Sequence, residues 1–531
     1  MRLGFICLAC SSLAVAGIWV WLGLPVPMPH APLAPGEKLY CLSYAPFRDG
    51  QTPFNPATHV SAAQIDDDLS RLAKITDCVR TYSVEFGQDQ VAAIAKKHGL
   101  KVLQGIWLSD DAAKNHLNVE TGIKIANEYP DVVRALIVGN EVLLRGNMSA
   151  DDLAAAIRDV KSRVKVAVTY ADVWEYWLKN PQIAAATDFV TIHILPYWED
   201  FPIPAERAAV HVDQIRKHVM AALPGKEVVI GEVGWPSEGR MREGALPSPA
   251  NQARVIQDVL ALAKRENYRV NVIEAFDQPW KRGLEGTVGG YWGLLDAATR
   301  DYKFVWGQPV SNHPQWKWQG AGGVAFVLLV FAAAFAARRG ETAPRLWLAV
   351  SANAIAGGSL IGWSVADVVP QSFSAGGWLR SLALVAAAFA SPLVLSAATM
   401  RGEAVPAFFR VIGPKSAHAQ DALSLAAGTL LIATMLLALQ SALGLVFDPR
   451  YRDFPFAPLT AAVAPFLTHR LVVKRPVGAR GAAEIAAATL LALSVPYILF
   501  NETFANWQSL WLCAVVAALA FTLARARDAQ N

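Results

Sequence analysis

The order of hydrophobic and polar residues divides this chain of 531 residues into stretches of different character. Residues 3–24 form an uncharged apolar run directly behind Arg2, long enough to cross a bilayer. Later residues first alternate short apolar runs with amphipathic segments and then become dominated by Ala, Leu, Val and Phe. The pattern predicts an N-terminal signal-anchor helix (1–30), a folded α/β domain (31–316) and a polytopic α-helical membrane region (317–531).

Strand-length and helix-length segments alternate through the folded domain. This alternation is typical of a parallel sheet, and eight such units fit the size of a (β/α)8 TIM barrel. A doubly wound open sheet is the alternative, but the first strand leads into Tyr44 rather than a Gly-rich phosphate loop. The predicted strands are 38–45, 76–83, 101–107, 133–140, 164–170, 188–195, 227–232 and 270–276. The predicted helices include 61–73, 88–98, 149–162, 204–223 and 249–266.

The C-terminal region contains seven further apolar runs. The run at 456–473 is the weakest because Pro458 and Pro465 interrupt it, and a re-entrant or buried segment is the alternative there. The seven runs lie near 320–337, 346–369, 378–400, 422–447, 456–473, 485–500 and 507–524. The first run of the chain exceeds the core of a signal peptide, about 7–15 residues, so we expect an uncleaved anchor, with a cleaved signal peptide as the alternative.

Positive charge gathers in alternate loops of this region. Cytoplasmic loops are the ones enriched in Lys and Arg, so the pattern places residues 35–316 outside the cytoplasm. The positive loops contain Arg338, Arg339, Arg345, Arg401, Arg410, Lys415, Arg470, Lys474, Arg475, Arg480, Arg525 and Arg527. We therefore expect a multi-pass protein of a bacterial inner membrane, with the lipid bilayer as a partner and the α/β domain on the periplasmic side.

Composition agrees with a large part of the chain lying in lipid. The chain is 53% hydrophobic and 17% charged, with a mean hydropathy of +0.28, whereas soluble proteins carry about 25% charged residues. The net charge of +4 forms no basic stripe, which excludes a nucleic-acid partner. Among five cysteines, Cys41 and Cys78 fall in the first two predicted strands, where we expect small buried core residues, with a disulfide in an oxidising compartment as the alternative. No Cys/His spacing predicts a metal site.

Polar and aromatic residues gather where the predicted strands end. The carboxyl ends of the strands form the active face of a TIM barrel. The strand ends carry Tyr44, Arg80, Tyr82, Trp107, Asn140, Glu141, Tyr170, His193, Tyr197, Trp198, Glu232, Trp235, Glu274, Asp277, Trp280 and Lys281. Two of them, Glu141 and Glu232, follow apolar runs directly. Glycoside cleavage needs one carboxyl group as proton donor and a second as nucleophile or base, so this pair indicates a glycosidase. A structural ion-pair role is the alternative for either glutamate alone.

Together these segments resemble glycoside hydrolase family 17. The matching pieces are 79–83, 138–142, 196–197, 231–237, 247–252, 274–281 and 291–296, in family order, and none lies in the membrane region. The chain departs from many members at Leu195, where they have an aromatic residue, and its 276–281 segment is similar to the fungal and bacterial branch.

The resemblance implies a retaining double displacement with Glu141 as acid/base and Glu232 as nucleophile, their carboxyls about 5–5.5 Å apart. The pKa of Glu141 is then expected to be raised, and Arg80 is expected beside Glu232. Asn140 would bind the sugar 2-hydroxyl and Tyr197 would orient the nucleophile. Stacking on sugar is expected of Trp235 and Trp280, and the remaining cleft residues would be Tyr44, Tyr82, Glu274, Asp277 and Lys281. No metal or cofactor is implied.

The family acts mainly on β-1,3-glucan, which the resemblance makes the expected substrate partner. A glycosyl-enzyme can react with water or with a second sugar, and the membrane anchorage favours transfer or remodelling, including β-1,6 branching during glucan synthesis. A membrane glucan synthase is then a candidate partner, and the membrane region would serve for anchoring or docking. The alternative hypothesis is a non-catalytic polysaccharide-binding or glucan-export component.

Overall fold

A computed structural model describes residues 1–413, 421–473 and 481–524. The chain divides into two compact units. One contains Val26–Glu238 and Gly244–Val310, and the other contains Met1–Pro25, Gly239–Glu243 and the residues from Ser311 onward. Among the charged residues used for the membrane topology, Lys415, Lys474, Arg475, Arg480, Arg525 and Arg527 lie outside the described residues.

The first unit is a closed barrel of eight parallel strands in the order β1 to β8, which excludes the open sheet. The strands are β1 Cys41–Ser43, β2 Cys78–Arg80, β3 Lys101–Ile106, β4 Val133–Asn140, β5 Ala167–Val173, β6 Val190–His193, β7 Val228–Val233 and β8 Val270–Val272. All eight predicted strands are present, although β5 begins and ends three residues later than predicted. The shift moves Tyr170 from the end of the predicted strand to the interior of β5 and includes Asp172 as its second-last residue.

Helices follow the strands around this barrel. They are α2 Ala62–Leu72, α3 Val91–Lys97, α4 Ala112–Glu128, α5 Ala150–Arg163, α6 Trp174–Lys179, α7 Pro181–Ala186, α8 Ala205–Ala222, α9 Pro249–Glu266 and α10 Arg282–Glu285, after the N-terminal α1 Arg2–Leu22. The start of α5 shows why these positions become helical. Ser149 accepts a hydrogen bond from the Asp152 amide at 3.2 Å, and Asp151 and Asp152 occupy the first turn, where negative charge is favourable.

The second unit is helical. With α1 it contains α11 Trp316–Ala337, α12 Pro344–Ala366, α13 Ala375–Arg401, α14 Phe408–Ile412, α15 Ala422–Phe447, α16 Phe456–Val472, α17 Ala482–Glu502 and α18 Trp507–Ala524. Seven helices of the described residues are long and apolar enough to cross a membrane: α1, α11, α12, α13, α15, α17 and α18. The predicted apolar run at 456–473 forms α16, a helix of 17 residues with Pro465 inside it. Many of its residues are buried, and it packs against α12, α13 and α18.

Five residues between β7 and α9 fold as part of the helical unit. Arg240 is buried there, forms an ion pair with Glu502 and donates to the Arg452 carbonyl at 3.2 Å. The Met241 amide donates to Gln508 Oε1 at 2.8 Å. A buried charge requires such partners, so Gly239–Glu243 is fixed within the helical unit.

The expectation of free thiols at Cys41 and Cys78 was wrong, because the two residues form a disulfide between β1 and β2. Neighbouring parallel strands place their residues close together, and here the Cα atoms are 4.4 Å apart, within the range that a disulfide spans. The other three cysteines, Cys7, Cys10 and Cys513, are free.

Thiol counting tests this bond. The protein unfolded in detergent without reductant should take up three equivalents of an alkylating reagent, and five after reduction, because only Cys7, Cys10 and Cys513 are free. Intact mass spectrometry gives the count. Uptake of five equivalents before reduction, in protein exported to its native membrane, would show that the bond does not form.

Candidate active site

Glu232 lies on β7 with its carboxylate buried at the carboxyl end of the barrel. Its Oε1 atom accepts a hydrogen bond from Arg80 Nη1 at 3.0 Å and another from the Tyr82 hydroxyl at 2.9 Å. Burial raises the pKa of Tyr82 well above its usual value, so the phenol keeps the proton that it donates. One positive and one neutral donor therefore stabilise Glu232 as an anion, and Arg80 lies beside it as expected.

The same guanidinium of Arg80 reaches two further acceptors. Nη1 also donates to the Gly231 carbonyl at 2.7 Å, and Nη2 donates to Asn140 Oδ1 at 2.5 Å. Arg80 thus joins the ends of β2, β4 and β7, and it fixes the side chain of Asn140 directly before Glu141.

Glu141 follows the last residue of β4 and adopts a left-handed backbone, with φ of 52°. Its amide donates to the Ala171 carbonyl on β5 at 2.7 Å. The side chain is 24% exposed, whereas that of Glu232 is only 6% exposed. Glu141 is therefore the carboxyl group of the pair that is more open to solvent and to a leaving group.

His193 lies between the two glutamates at the end of β6. Its Nδ1 atom is 2.8 Å from Glu141 Oε1, and its Nε2 atom is 3.6 Å from Glu232 Oε1. One carboxylate oxygen of each glutamate and one ring nitrogen of His193 lie within 4.8 Å of one another. The two carboxyl groups therefore face one small space at the carboxyl end of the barrel.

The contact between Glu141 and His193 holds a proton. A carboxylate oxygen and a ring nitrogen 2.8 Å apart form a hydrogen bond only when one proton lies between them. His193 was predicted at a strand end but without a role, because the strand pattern does not show which side chains of different strands contact each other inside the barrel.

The expected rise in the pKa of Glu141 was wrong. Burial raises it, but the hydrogen bond and charge of His193, followed by the charges of Arg145 and Arg80, lower it more, so the pKa lies below its usual value. Glu141 therefore does not have the environment of an isolated carboxylic acid, and it lies in a hydrogen-bonded pair with His193.

Two lysine–carboxylate pairs occupy the segment after β8. Lys281 Nζ contacts Glu274 at 2.9 and 3.0 Å, and Lys303 Nζ contacts Asp277 Oδ1 at 2.6 Å. Burial raises the pKa of Glu274 to about 7, against the lowering effect of Lys281, and raises that of Asp277 to about 6, against that of Lys303. Glu285 on α10 adds a further carboxylate whose charge interacts with Lys281, Glu141 and Glu232, and the sequence analysis missed it.

The structure corrects two expectations about aromatic side chains. Trp235 is fully buried and donates its indole N–H to the Leu246 carbonyl at 3.0 Å, so it offers no open face for stacking. Tyr44 is also fully buried, with its hydroxyl donating to Asp68 Oδ2 at 3.0 Å. A strand-end position in the sequence does not show whether a side chain points into the cleft or into the packed layer beneath it.

The remaining aromatic residues of the prediction divide in the same way. Tyr197 is fully buried, with its ring edge-on to Trp198, Trp235 and Trp292. Trp280 is partly exposed and packs edge-on against the exposed ring of Phe54, with centroids 5.6 Å apart. Trp280 keeps a surface that a sugar could contact, and its stacking role stays a prediction, as does the expected independence from metal and cofactor.

Comparison with known proteins finds a family model and several relatives that match part of this chain. The BtgE/BtgC glycoside hydrolase domain matches residues 41–293. A probable family 17 glucosidase from Saccharomyces cerevisiae is 25% identical over 261 residues, covering 48% of this chain and 64% of its own length. A glucan 1,3-beta-glucosidase from Schizosaccharomyces pombe is 28% identical over 250 residues, covering 43% of this chain and 76% of its own. The structure of a family 17 beta-1,3-glucanosyltransferase from Rhizomucor miehei is 28% identical over 50% of this chain and 95% of that one, with a TM-score of 0.44.

A closed parallel barrel with two strand-end glutamates, matched by these relatives, defines the class of the first unit as an O-glycosyl hydrolase. Within that class, the matches support membership of glycoside hydrolase family 17 for the barrel. The family model matches residues 41–293.

Replacing Arg80 tests its role as the common donor. Arg80→Lys should lower turnover of β-1,3-gluco-oligosaccharides roughly 10²-fold, because an ammonium cannot reach Glu232, Gly231 and Asn140 with the geometry of a guanidinium. Arg134→Lys, at the start of β4 and stacked on Tyr40 at 4.9 Å, is the matched control and should keep its activity. Equal rates in both variants would contradict this role.

Proposed function

We propose that the protein is a membrane-tethered retaining glycosidase or transglycosylase that cleaves or remodels β-1,3-glucan. The observation that carries this proposal is the group formed by Glu141, His193 and Glu232. One carboxylate oxygen of each glutamate and one ring nitrogen of His193 lie within 4.8 Å of one another. The substrate class is supported by the relatives, which are named glucan 1,3-beta-glucosidases.

In the first step the Glu232 carboxylate attacks the anomeric carbon while the bond to the leaving oxygen breaks. With a second proton on His193 Nε2, the proton held between Glu141 and His193 passes through Glu141 to that oxygen. This gives a glycosyl ester on Glu232, a free sugar end, an ionised Glu141 and a neutral His193. In the second step Glu141 takes a proton from water or from a sugar hydroxyl, whose oxygen displaces Glu232 from the anomeric carbon. The enzyme returns to its starting protonation, and the anomeric configuration is retained.

Asn140 is placed to bind the substrate beside this centre. Its Oδ1 atom accepts from Arg80, which leaves the amide NH₂ as the group that can donate to a sugar hydroxyl. Glu274 and Lys281 would line the adjoining part of the cleft, with Trp280 as a stacking surface. Asp277 would support that wall through Lys303 and the Gly293 amide.

We favour transfer over hydrolysis as the second step. An enzyme held in the membrane meets glucan at the point where the polymer leaves the cell, and this proximity raises the effective concentration of acceptor ends. Seven helices that could cross a membrane support such tethering. A membrane glucan synthase is the kind of partner that would supply the chains.

We infer further that the barrel lies on the outer side of a bacterial cytoplasmic membrane. The Cys41–Cys78 bond supports this, because disulfides persist in oxidising compartments. The charges that flank the helices support this when α16 is counted as a further crossing. Arg338, Arg339, Arg345, Arg401 and Arg410 then share one set of loops, whereas the other set has neither Lys nor Arg at 367–374 and 503–506 and holds Arg450 and Arg452 at 448–455.

Glutamine variants test the chemistry. Glu232→Gln should abolish turnover of laminari-oligosaccharides. Glu141→Gln should do the same but still release a good aryl leaving group, which departs without a proton. Glu227→Gln, at the opposite end of β7 and 3.2 Å from Arg269, is the matched control. The assay follows product sizes by mass spectrometry and the first anomer formed by NMR.

Products longer than the substrate would indicate transfer, and shorter products alone would indicate hydrolysis. An α anomer formed first, or full activity of Glu232→Gln, would contradict the proposed mechanism. Binding of glucan without any change in product size would favour a non-catalytic component instead.

Reporter fusions test the orientation. Alkaline phosphatase, which folds only in an oxidising compartment, should be active when fused after Val310 and inactive when fused after Arg339, because α11 would separate the two sites. The measurement is phosphatase activity per amount of fusion protein. The reverse pattern would place the barrel in the cytoplasm.

A further inference from the structure

The backbone of Glu141 depends on the neighbouring strand β5. A φ of 52° is uncommon for a residue other than glycine, so neighbouring contacts must stabilise this backbone conformation of Glu141. The Glu141 amide donates to the Ala171 carbonyl at 2.7 Å, and the Arg145 amide closes the turn on the Glu141 carbonyl at 2.9 Å. The carboxyl group of Glu141 is therefore aimed by a turn that β5 fixes.

Two side chains of β5 hold the rest of this turn. The Leu143 amide donates to the Tyr170 hydroxyl at 3.0 Å, and the Leu144 amide points to Asp172 Oδ2 at 3.4 Å. The Tyr170 hydroxyl in turn donates to the same Asp172 oxygen. The amides that follow Glu141 are thus satisfied by one buried Tyr–Asp pair.

Asp172 is fully buried, and its second oxygen accepts only a local bond, from the Val173 amide at 2.7 Å. Burial raises its pKa to about 6, the Tyr170 hydrogen bond opposes that rise, and the charge of Glu141 adds to it. Asp172 is consequently ionised at neutral pH and lies close enough to Glu141 for the two carboxylates to interact.

We propose that Asp172 is a positioning residue that holds the Glu141 turn and, through its negative charge, keeps the proton on the Glu141–His193 pair. The inference rests on the proposed function, in which Glu141 must begin the reaction with access to a proton. Two nearby carboxylates disfavour each other's ionisation, so Asp172 opposes the loss of that proton. Nothing in the family motifs points to this residue, which follows the strand segment that the sequence predicted.

The other charged and titratable groups around Glu141 come from each element packed against it, and they stay unchanged when Asp172 is replaced. They are Arg80 of β2, His193 of β6, Glu232 of β7, Glu285 of α10 and Arg145 of its own turn. Those facing Asp172 are Tyr170, Glu141, His193 and Arg145. A change in the pH profile that appears only when Asp172 is replaced can therefore be assigned to the charge of Asp172.

The test is the pH profile of kcat/KM for laminari-oligosaccharides with the full-length protein. Asp172→Asn keeps the size of the side chain and removes its charge. Glu141 should then lose its proton more easily, and the alkaline limb of the profile should move about one pH unit lower. Tyr170→Phe loosens the turn and keeps the Asp172 carboxyl group, but the lost hydrogen bond raises the pKa of Asp172, so this variant should lower kcat and displace the limb less than Asp172→Asn does.

Asp188→Asn is the matched control. Asp188 lies at the opposite end of the barrel, where it accepts from the Val168 amide at 2.7 Å and pairs with Lys161 at 2.6 Å. Its replacement should leave both kcat and the pH limb unchanged. Asp172→Ser, smaller and neutral, should move the limb as Asp172→Asn does and replaces that variant if it does not fold.

An alkaline limb that stays at the wild-type pH in a folded, active Asp172→Asn protein would overturn the proposal, even if kcat falls. An inactive wild-type protein would instead contradict the proposed function. The role of Asp172 is thus tested by the pH profile of the variant, and the proposed function is tested by the activity of the wild-type protein.

Discussion

The buried guanidinium of Arg80 is the interaction on which the active end of the barrel depends. A cation removed from water is costly unless it is paired with acceptors. Arg80 donates through its two terminal nitrogens to Glu232, the Gly231 carbonyl and Asn140, which belong to β7 and β4. The need to neutralise one charge therefore places the proposed nucleophile and the residue before the proposed acid at fixed positions relative to each other.

His193 adds the second condition of the site. Two carboxylates with oxygen atoms within 4.8 Å of each other would repel if both were ionised without compensation. Arg80 forms an ion pair with Glu232, whereas Glu141 is hydrogen-bonded to His193. The two glutamates thus differ through their partners and their exposure rather than through their residue type, which is how the proposed reaction would assign two roles to identical side chains.

Sequence reasoning reached the barrel, its eight strands and the two glutamates because the signals are local. Apolar runs that end in a polar residue mark buried parallel strands, and Ser149 with two aspartates marks the start of a helix. The predictions were wrong where the orientation of a side chain, or a contact across the barrel, determines its role. Trp235 and Tyr44 lie at strand ends, but their side chains are buried in the packed interior, and Asp172 was outside the predicted strand because β5 ends three residues later than predicted.

The sequence by itself determined the alternation of strands and helices, the apolar helices of the second unit and the strand-end positions of Glu141 and Glu232, since periodicity and hydropathy act over a few residues. Only the tertiary structure decided that Cys41 reaches Cys78, that Arg80 serves three acceptors and that His193 lies between the glutamates. The reason is physical: contacts between residues far apart in the chain exist only after eight strands close into a barrel, and closure sets which side chains share a buried space.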